Sequence, residues 1–151
     1  MIEIPDFSTL QQRLGQEVAV SDWLEMPQER ISQFAETTDD QQWIHVDAAR
    51  AAAESPYKTT IAHGFLTLSM LSALLRNAIT LPKRRFGLNY GLNRVRFMAA
   101  VPSGSRIRGR FVPTEIKEID GGYQMVWTVT IEREGSEKPC CLAEWVLRYL
   151  L

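Results

Sequence analysis

The sequence is short of cysteine, of charge of one sign and of any long uninterrupted apolar run. Its two cysteines, Cys140 and Cys141, are neighbours. In an extended segment adjacent side chains point to opposite faces, so the pair offers neither a disulfide framework nor metal-ligand spacing. A reducing compartment suits such a chain. A net charge of −1 over 151 residues leaves no electrostatic footprint for nucleic acid. The longest apolar stretch, residues 65–75, contains Thr67, Ser69 and Ser72 and falls short of the ~20 residues a bilayer span requires. The N-terminal residues Met1 to Asp6 lack both a basic region and an apolar core, which argues against a secretory signal. No membrane partner and a cytoplasmic location are therefore expected. No repeat, low-complexity tract or linker divides the chain, and its length and 45% hydrophobic content suit one domain over residues 1–151.

What is present falls into two patterns. Up to about Thr80 the sequence reads mainly as helix, and after Phe86 mainly as strand. Residues 15–23 read as a first strand. Pro27 suits a first helical turn, and Ile31, Phe34 and Ala35 follow at helical spacing. Asp47 is a candidate N-cap for a short helix over 48–54, which Ser55-Pro56 ends. Residues 64–77 are apolar almost all the way round, and a helix of that kind has to be enclosed. Beyond the polar break 81–85, Arg106, Arg108 and Arg110 alternate with Ile107, Gly109 and Phe111. Asp120-Gly121-Gly122 signals a hairpin, and Tyr123, Met125, Trp127, Val129 and Ile131 share one face of a period-2 strand. Glu134-Gly135-Ser136 turns the chain into a last strand, 140–149. The expected class is α+β, an antiparallel sheet wrapped around one long central helix, which is the hot dog arrangement.

The chemistry concentrates in Asp40, His45 and the segment Ile61-Ala62-His63-Gly64. A histidine exchanges a proton near neutral pH, and a carboxylate five residues before it can fix its tautomer or share a bound water. On spacing alone the plainer reading stands ahead: Asp39 and Asp40 as helix-terminal polar residues, and His45 as a cap for the next helix. Gly64 shifts the balance. At a helix N-terminus, free backbone N–H groups and a partial positive charge favour a developing oxyanion, and a residue without Cβ lets a carbonyl approach closely. Gly64 reads equally well as the turn into the central helix. His63 reads as a residue that orients that turn or satisfies a buried carbonyl. Ser69 and Ser72 bond back to helix carbonyls in most such settings, although one of them can reach His45. Lys83, Arg84 and Arg85 form a basic connection able to meet a phosphate. Trp43, Trp127 and Trp145 read as core or interface.

With these residues in view, the chain resembles the MaoC-like hydratases, the (R)-specific enoyl-CoA hydratase family, and especially its nodulation-protein-N-like branch. Phe34-Ala35, the pair Asp40 and His45, Ile61-Ala62-His63-Gly64, the run from Asn89 to Phe97, and Lys138-Pro139 with Ala143-Glu144 stand in the family's order across nearly the whole chain. The resemblance implies a homodimer of hot dog folds acting on an acyl-CoA thioester, trans-2-enoyl-CoA. It implies that Asp40 and His45 hold and activate a water while the Gly64 N–H polarises the thioester carbonyl. Ser72 matches a helix serine that supports the site in some relatives. Asp39 stands where the family usually has glycine. Gln42-Trp43 replaces the Asn-Pro of many relatives, as is common in the nodulation-protein-N-like branch.

The expected reaction is reversible syn hydration to the (R)-3-hydroxyacyl-CoA, with no metal or redox cofactor, CoA being part of the substrate. Two rivals remain at this stage. A hot dog acyl-CoA thioesterase would release free thiol, and a non-catalytic acyl-CoA-binding dimer would bind without turnover.

Overall fold

The computed structural model describes residues 1–82 and 84–151; Lys83 of the basic connection lies outside them. In chain order the elements are β1 (Ile2–Glu3), α1 (Phe7–Gln11), β2 (Ala19–Val20), β3 (Leu24–Met26), α2 (Gln28–Thr38), α3 (Trp43–Val46) and α4 (Ala48–Glu54). They continue with α5 (Gly64–Ser69), α6 (Leu71–Ala78), β4 (Ile79–Thr80), β5 (Phe86–Phe97), β6 (Ser105–Ile119), β7 (Gly122–Arg133) and β8 (Cys141–Leu150).

The division between a helical first half and a strand-rich second half is as the periodicity predicts. Of the expected first strand, residues 15–23, only β2 forms; β3 follows just beyond it, and both lie antiparallel on β6. The main sheet runs β2-β6-β7-β8-β5 with every pair antiparallel. Its long hairpins turn at glycines with positive φ, Gly121 at 75° between β6 and β7 and Gly135 at 73° between β7 and β8. At those angles a side chain is strained and glycine is not. Asp47 caps α4 as expected, its carboxylate accepting from the Arg50 N–H at 2.9 Å.

The concave face of the sheet is apolar. Ile107 and Phe111 of β6, Met125, Trp127, Val129 and Ile131 of β7, and Ala143, Trp145, Leu147 and Tyr149 of β8 are all buried. Against them lie Leu66, Leu71, Leu74, Leu75 and Ala78 of α5 and α6. The helix comes so near the sheet at Gly109 that a Cβ there would stand 3.3 Å from the Leu74 Cβ and 2.9 Å from the Phe111 ring. Deleting a fully buried side chain such as Leu74 costs about 2–5 kcal/mol by lost transfer energy and residual cavity. Both cysteines are free and buried, Cys141 as the first residue of β8 and Cys140 just before it. Burial pushes the thiols up, to about 11 for Cys140 and about 12 for Cys141.

Two features of the central helix go beyond the sequence reading. It is delivered in two segments that meet at Met70, whose N–H bonds to both Leu66 O and Thr67 O. Its enclosure is one-sided: Leu66, Leu71, Leu74 and Leu75 are buried, whereas Phe65 is 69% exposed. The open stripe lies beside β5, the edge strand, where Phe86, Leu88, Tyr90, Leu92 and Phe97 are also exposed. None of the helices among the described residues is long and apolar enough to cross a membrane.

Candidate active site

The site is built where α2 stops. Ile31 and Ala35 bury the inner face of that helix, and Asp39 ends it in the left-handed conformation, φ 58° and ψ 23°. Most residues avoid that region, and glycine, asparagine and aspartate tolerate it best. The reversal at Asp39 turns the chain so that Asp40 leads directly into α3, a single helical turn carrying His45. The expected irregular loop therefore contains a turn of helix, which tightens the five-residue spacing. Asp40 is exposed and His45 is buried.

Three contacts fix His45. Its Nδ1–H donates to the Ile61 carbonyl at 2.7 Å, which leaves Nε2 as the free lone pair of the neutral ring. Its own carbonyl accepts from the Gln28 Nε2 at 2.8 Å, and the Gln28 Oε1 accepts from Thr60 Oγ1. The Ile61 N–H donates to the Ile44 carbonyl at 3.0 Å, so α3 is tied to residues 60–61 on both sides of the histidine. Burial holds the imidazole below the ordinary histidine range. The Ile61 hydrogen bond pulls the other way, the neighbouring His63 lowers it further, and Asp40 raises it. Neutral His45 is the form these forces favour.

His63 completes the cluster. Its ring stacks on that of His45 with centroids 3.7 Å apart, its Nε2–H donates to the Asp40 main-chain carbonyl at 3.0 Å, and Phe34 packs on it at 5.0 Å. One donor atom from each of Asp40, His45 and His63 lies within 4.8 Å of the others. A bound of that size leaves room for a bridging water, since two hydrogen bonds of about 2.8 Å meeting at a near-tetrahedral angle span roughly 4.6 Å. It suits an ion less well. An imidazole ligates in its ring plane, and two stacked rings aim their lone pairs side by side rather than at one point.

Gly64 follows His63 as the first residue of α5, where its N–H lies outside the intrahelical ladder. Its φ is not positive, so the turn alone does not require glycine. Space does: a Cβ would stand 2.9 Å from Cδ2 of Phe97. Gly64 borders a cavity of about 250 Å³ lined by Tyr57, Thr67, Phe97, Ala99 and Cys140 among others. Asp40, His45 and His63 are thus brought together; Gly64 adjoins them in the chain as the residue after His63, and the cavity it borders is lined by none of the three. Ser72 lines different cavities, beside Asn89 and Trp145, while Ser69 bonds back to the Phe65 carbonyl at 2.7 Å. Arg84 lies over the Tyr149 ring at 5.4 Å. The sequence reading missed Gln28 and Thr60, because a glutamine in the first turn of a helix carries no mark of the loop it will meet.

The geometry can be set beside known proteins. The model of the MaoC like domain matches residues 9–134. The chain is 50% identical over 139 residues to nodulation protein N of Rhizobium leguminosarum bv. viciae, covering 89% of this chain and 84% of that protein. It is 46% identical over 137 residues to the 3-hydroxyacyl-thioester dehydratase Z of Mycobacterium tuberculosis, covering 90% of each. In three dimensions it matches an (R)-hydratase from A. caviae with TM-score 0.70 at 22% identity, over 89% of this chain and 94% of that one; that likeness establishes the hot dog fold. A match over most of the chain, with two relatives at nearly half identity, places this protein in the MaoC-like dehydratase family.

Proposed function

We propose that this MaoC-like dehydratase hydrates trans-2-enoyl-CoA reversibly to the (R)-3-hydroxyacyl-CoA. The observation that carries the reading is the proximity of Asp40 and His45: a ring nitrogen of His45 stands within 4.8 Å of an Asp40 carboxylate oxygen, and the His45 Nδ1 is bonded to Ile61. A water held between the carboxylate and the free Nε2 is polarised toward hydroxide, and the pair acts as one unit in taking its proton. The oxygen adds to the β-carbon. The negative charge that moves to the thioester oxygen is met by the Gly64 N–H at the start of α5, and the proton returns to the α-carbon on the same face. CoA is a portion of the substrate, and the chemistry calls for neither a metal nor a redox cofactor.

The working unit in this reading is a homodimer. Among the described residues, strand β5 is hydrogen-bonded on one side only, to β8, and exposes Leu88, Tyr90 and Leu92 beside Phe65 and Phe97. A twelve-residue edge strand with an apolar face is a pairing surface, and a second copy pairing along β5 covers both the edge and the open stripe of α5. The 46% identity to a 3-hydroxyacyl-thioester dehydratase supports thioester chemistry over other substrates.

The deciding experiment follows the enoyl-thioester absorbance of crotonyl-CoA with the purified protein. The expected outcome is loss of absorbance, no free thiol, and an (R) product on chiral separation. Thiol release without hydration would replace the reading with a thioesterase, and binding without turnover would replace it with a carrier.

A further inference from the structure

We infer that His63 is a positioning residue for the hydration site, a clamp that holds the Asp40 main chain with one ring nitrogen and the His45 ring with its face. The inference rests on the water-activating reading of Asp40 and His45.

Three observations carry it. The first is connectivity. His63 Nε2–H to Asp40 O at 3.0 Å, together with the 3.7 Å stack on His45, makes this side chain the direct bridge between the two residues that share the water. Without it, Asp40 hangs on an exposed turn whose other anchor is its own N–H on the Ala35 carbonyl, at 3.1 Å. The second is an unpaired acceptor. Donation from Nε2 puts the proton there and leaves His63 Nδ1 as a lone pair, and that atom is buried with no hydrogen-bond partner among the described residues. A buried polar atom without a partner is destabilising and is seldom kept without a reason. Glutamine could reach the Asp40 carbonyl without a ring, and phenylalanine could stack without a donor. An imidazole supplies both in one side chain, at the expense of the unpaired Nδ1. The third is charge. Two imidazoles in face contact resist becoming cations together, so His63 also helps keep the His45 Nε2 unprotonated. The titratable groups acting on the His45 ring are His63, on the turn before α5, and Asp40, on the turn after α2; Ile61 meets the ring through its uncharged carbonyl, and Gln28 reaches only the His45 main chain.

The requirement for both a face and a donor defines the test. His63→Gln keeps a donor for the Asp40 carbonyl and removes the second imidazole. His63→Phe keeps the face and removes the donor, and His63→Ala removes both. Far-UV circular dichroism and a thermal melt establish that each variant is folded. In crotonyl-CoA hydration, His63→Ala is expected to lower kcat by ~10- to 100-fold with KM little changed, the scale of a misplaced catalytic group. His63→Phe should fall between Ala and wild type, and His63→Gln should recover most of the rate, with the acid limb of its pH–rate profile displaced to higher pH. Because the chain has only two histidines, ¹⁵N-histidine NMR gives a readout independent of turnover. The wild type should show His45 as the Nδ1–H tautomer and His63 as the Nε2–H tautomer, and His45 should titrate at higher pH in His63→Gln. Wild-type kcat in a folded His63→Ala variant overturns the clamp, as does a His45 titration indifferent to His63→Gln. If the wild type proves inactive on crotonyl-CoA while the NMR behaves as expected, the clamp geometry stands and the hydratase reading is what fails.

Discussion

Asp40→Asn and His45→Ala test whether two residues act on one water, and the structure gives their consequences different shapes. Asp40 is exposed and its side chain fills no part of the core, so Asp40→Asn should leave thermal stability nearly unchanged. His45 is buried, and its Nδ1–H satisfies the Ile61 carbonyl. His45→Ala strands that acceptor, which costs about 1–3 kcal/mol, and a measurable drop in melting temperature is expected. Stability and activity therefore separate in the first variant and move together in the second.

In kinetics the two should look alike. A positioned acid or base contributes about 10²- to 10⁴-fold, so each single substitution should lower kcat for crotonyl-CoA by ~10²-fold or more. Independent groups would multiply, and the double variant would lose at least ~10⁴. Groups that share a water within 4.8 Å do not multiply, because the first substitution already releases the water the second would have lost. The double variant should fall little below the worse single one. At about 1.36 kcal/mol per tenfold, the coupling energy is then on the order of 2.7 kcal/mol. The assay is initial-rate hydration with thermal melts on the same four proteins, and His45→Gln serves if the alanine variant is too unstable to purify. Near-additive losses would separate Asp40 from the water, and near-normal rates in both folded single variants would remove the mechanism altogether.

Other expectations concern pH, the turn and the dimer. Burial lowers the His45 pKa, so the neutral ring persists through the ordinary histidine range near ~6.5, and the hydration rate should begin to fall only below it. The stability term has the matching sign: the folded state takes up the proton less readily than the unfolded one, so this contribution is present above the unfolded pKa and is lost as pH falls through it, which melts across the acid range will show. At Asp39, φ 58° predicts near-neutral stability and rate for Asp39→Asn and Asp39→Gly. A β-branched Asp39→Val should lose about 1–2 kcal/mol in denaturant unfolding. Light scattering should give twice the chain mass. Leu88→Lys combined with Leu92→Lys on the exposed strand β5 should reduce it to that of one chain, and a wild type that stays monomeric at full activity would refute the assembly.

Much of the fold was legible because it follows from periodicity. The alternation through Met125, Trp127, Val129 and Ile131 identified an inner face, and the turn glycines Gly121 and Gly135 fell where the backbone takes positive φ. The early strand was less legible. Residues 15–23 have strand-like composition, yet only Ala19–Val20 pairs with β6, and Leu24–Met26 continues after a break. The enclosure of the central helix was over-read for a related reason. Composition reports that Phe65 is apolar, but whether the surface that covers it belongs to the same chain or to a second one is not encoded in the spacing.

The site was legible in its parts and not in its joints. Asp40, His45 and Gly64 stood out by residue type and by their order along the chain. What brings Asp40 and His45 together is a set of long-range contacts: Gln28 to the His45 carbonyl across 17 positions, Ile61 to its ring across 16, and His63 to the Asp40 carbonyl across 23. None leaves a local signature, since a side chain reaching a main-chain carbonyl needs only a donor at the right distance. Asp39 shows the same limit from the opposite side. In sequence it reads as a helix-terminal polar residue beside Asp40, with nothing in the spacing to say how the chain bends there. In three dimensions its left-handed backbone ends α2, and the glycine usual in the family at this position points to the same demand. The helix-terminal reading holds, and the structure adds the conformation: Asp39 is the bend by which the chain leaves α2 for Asp40 and α3.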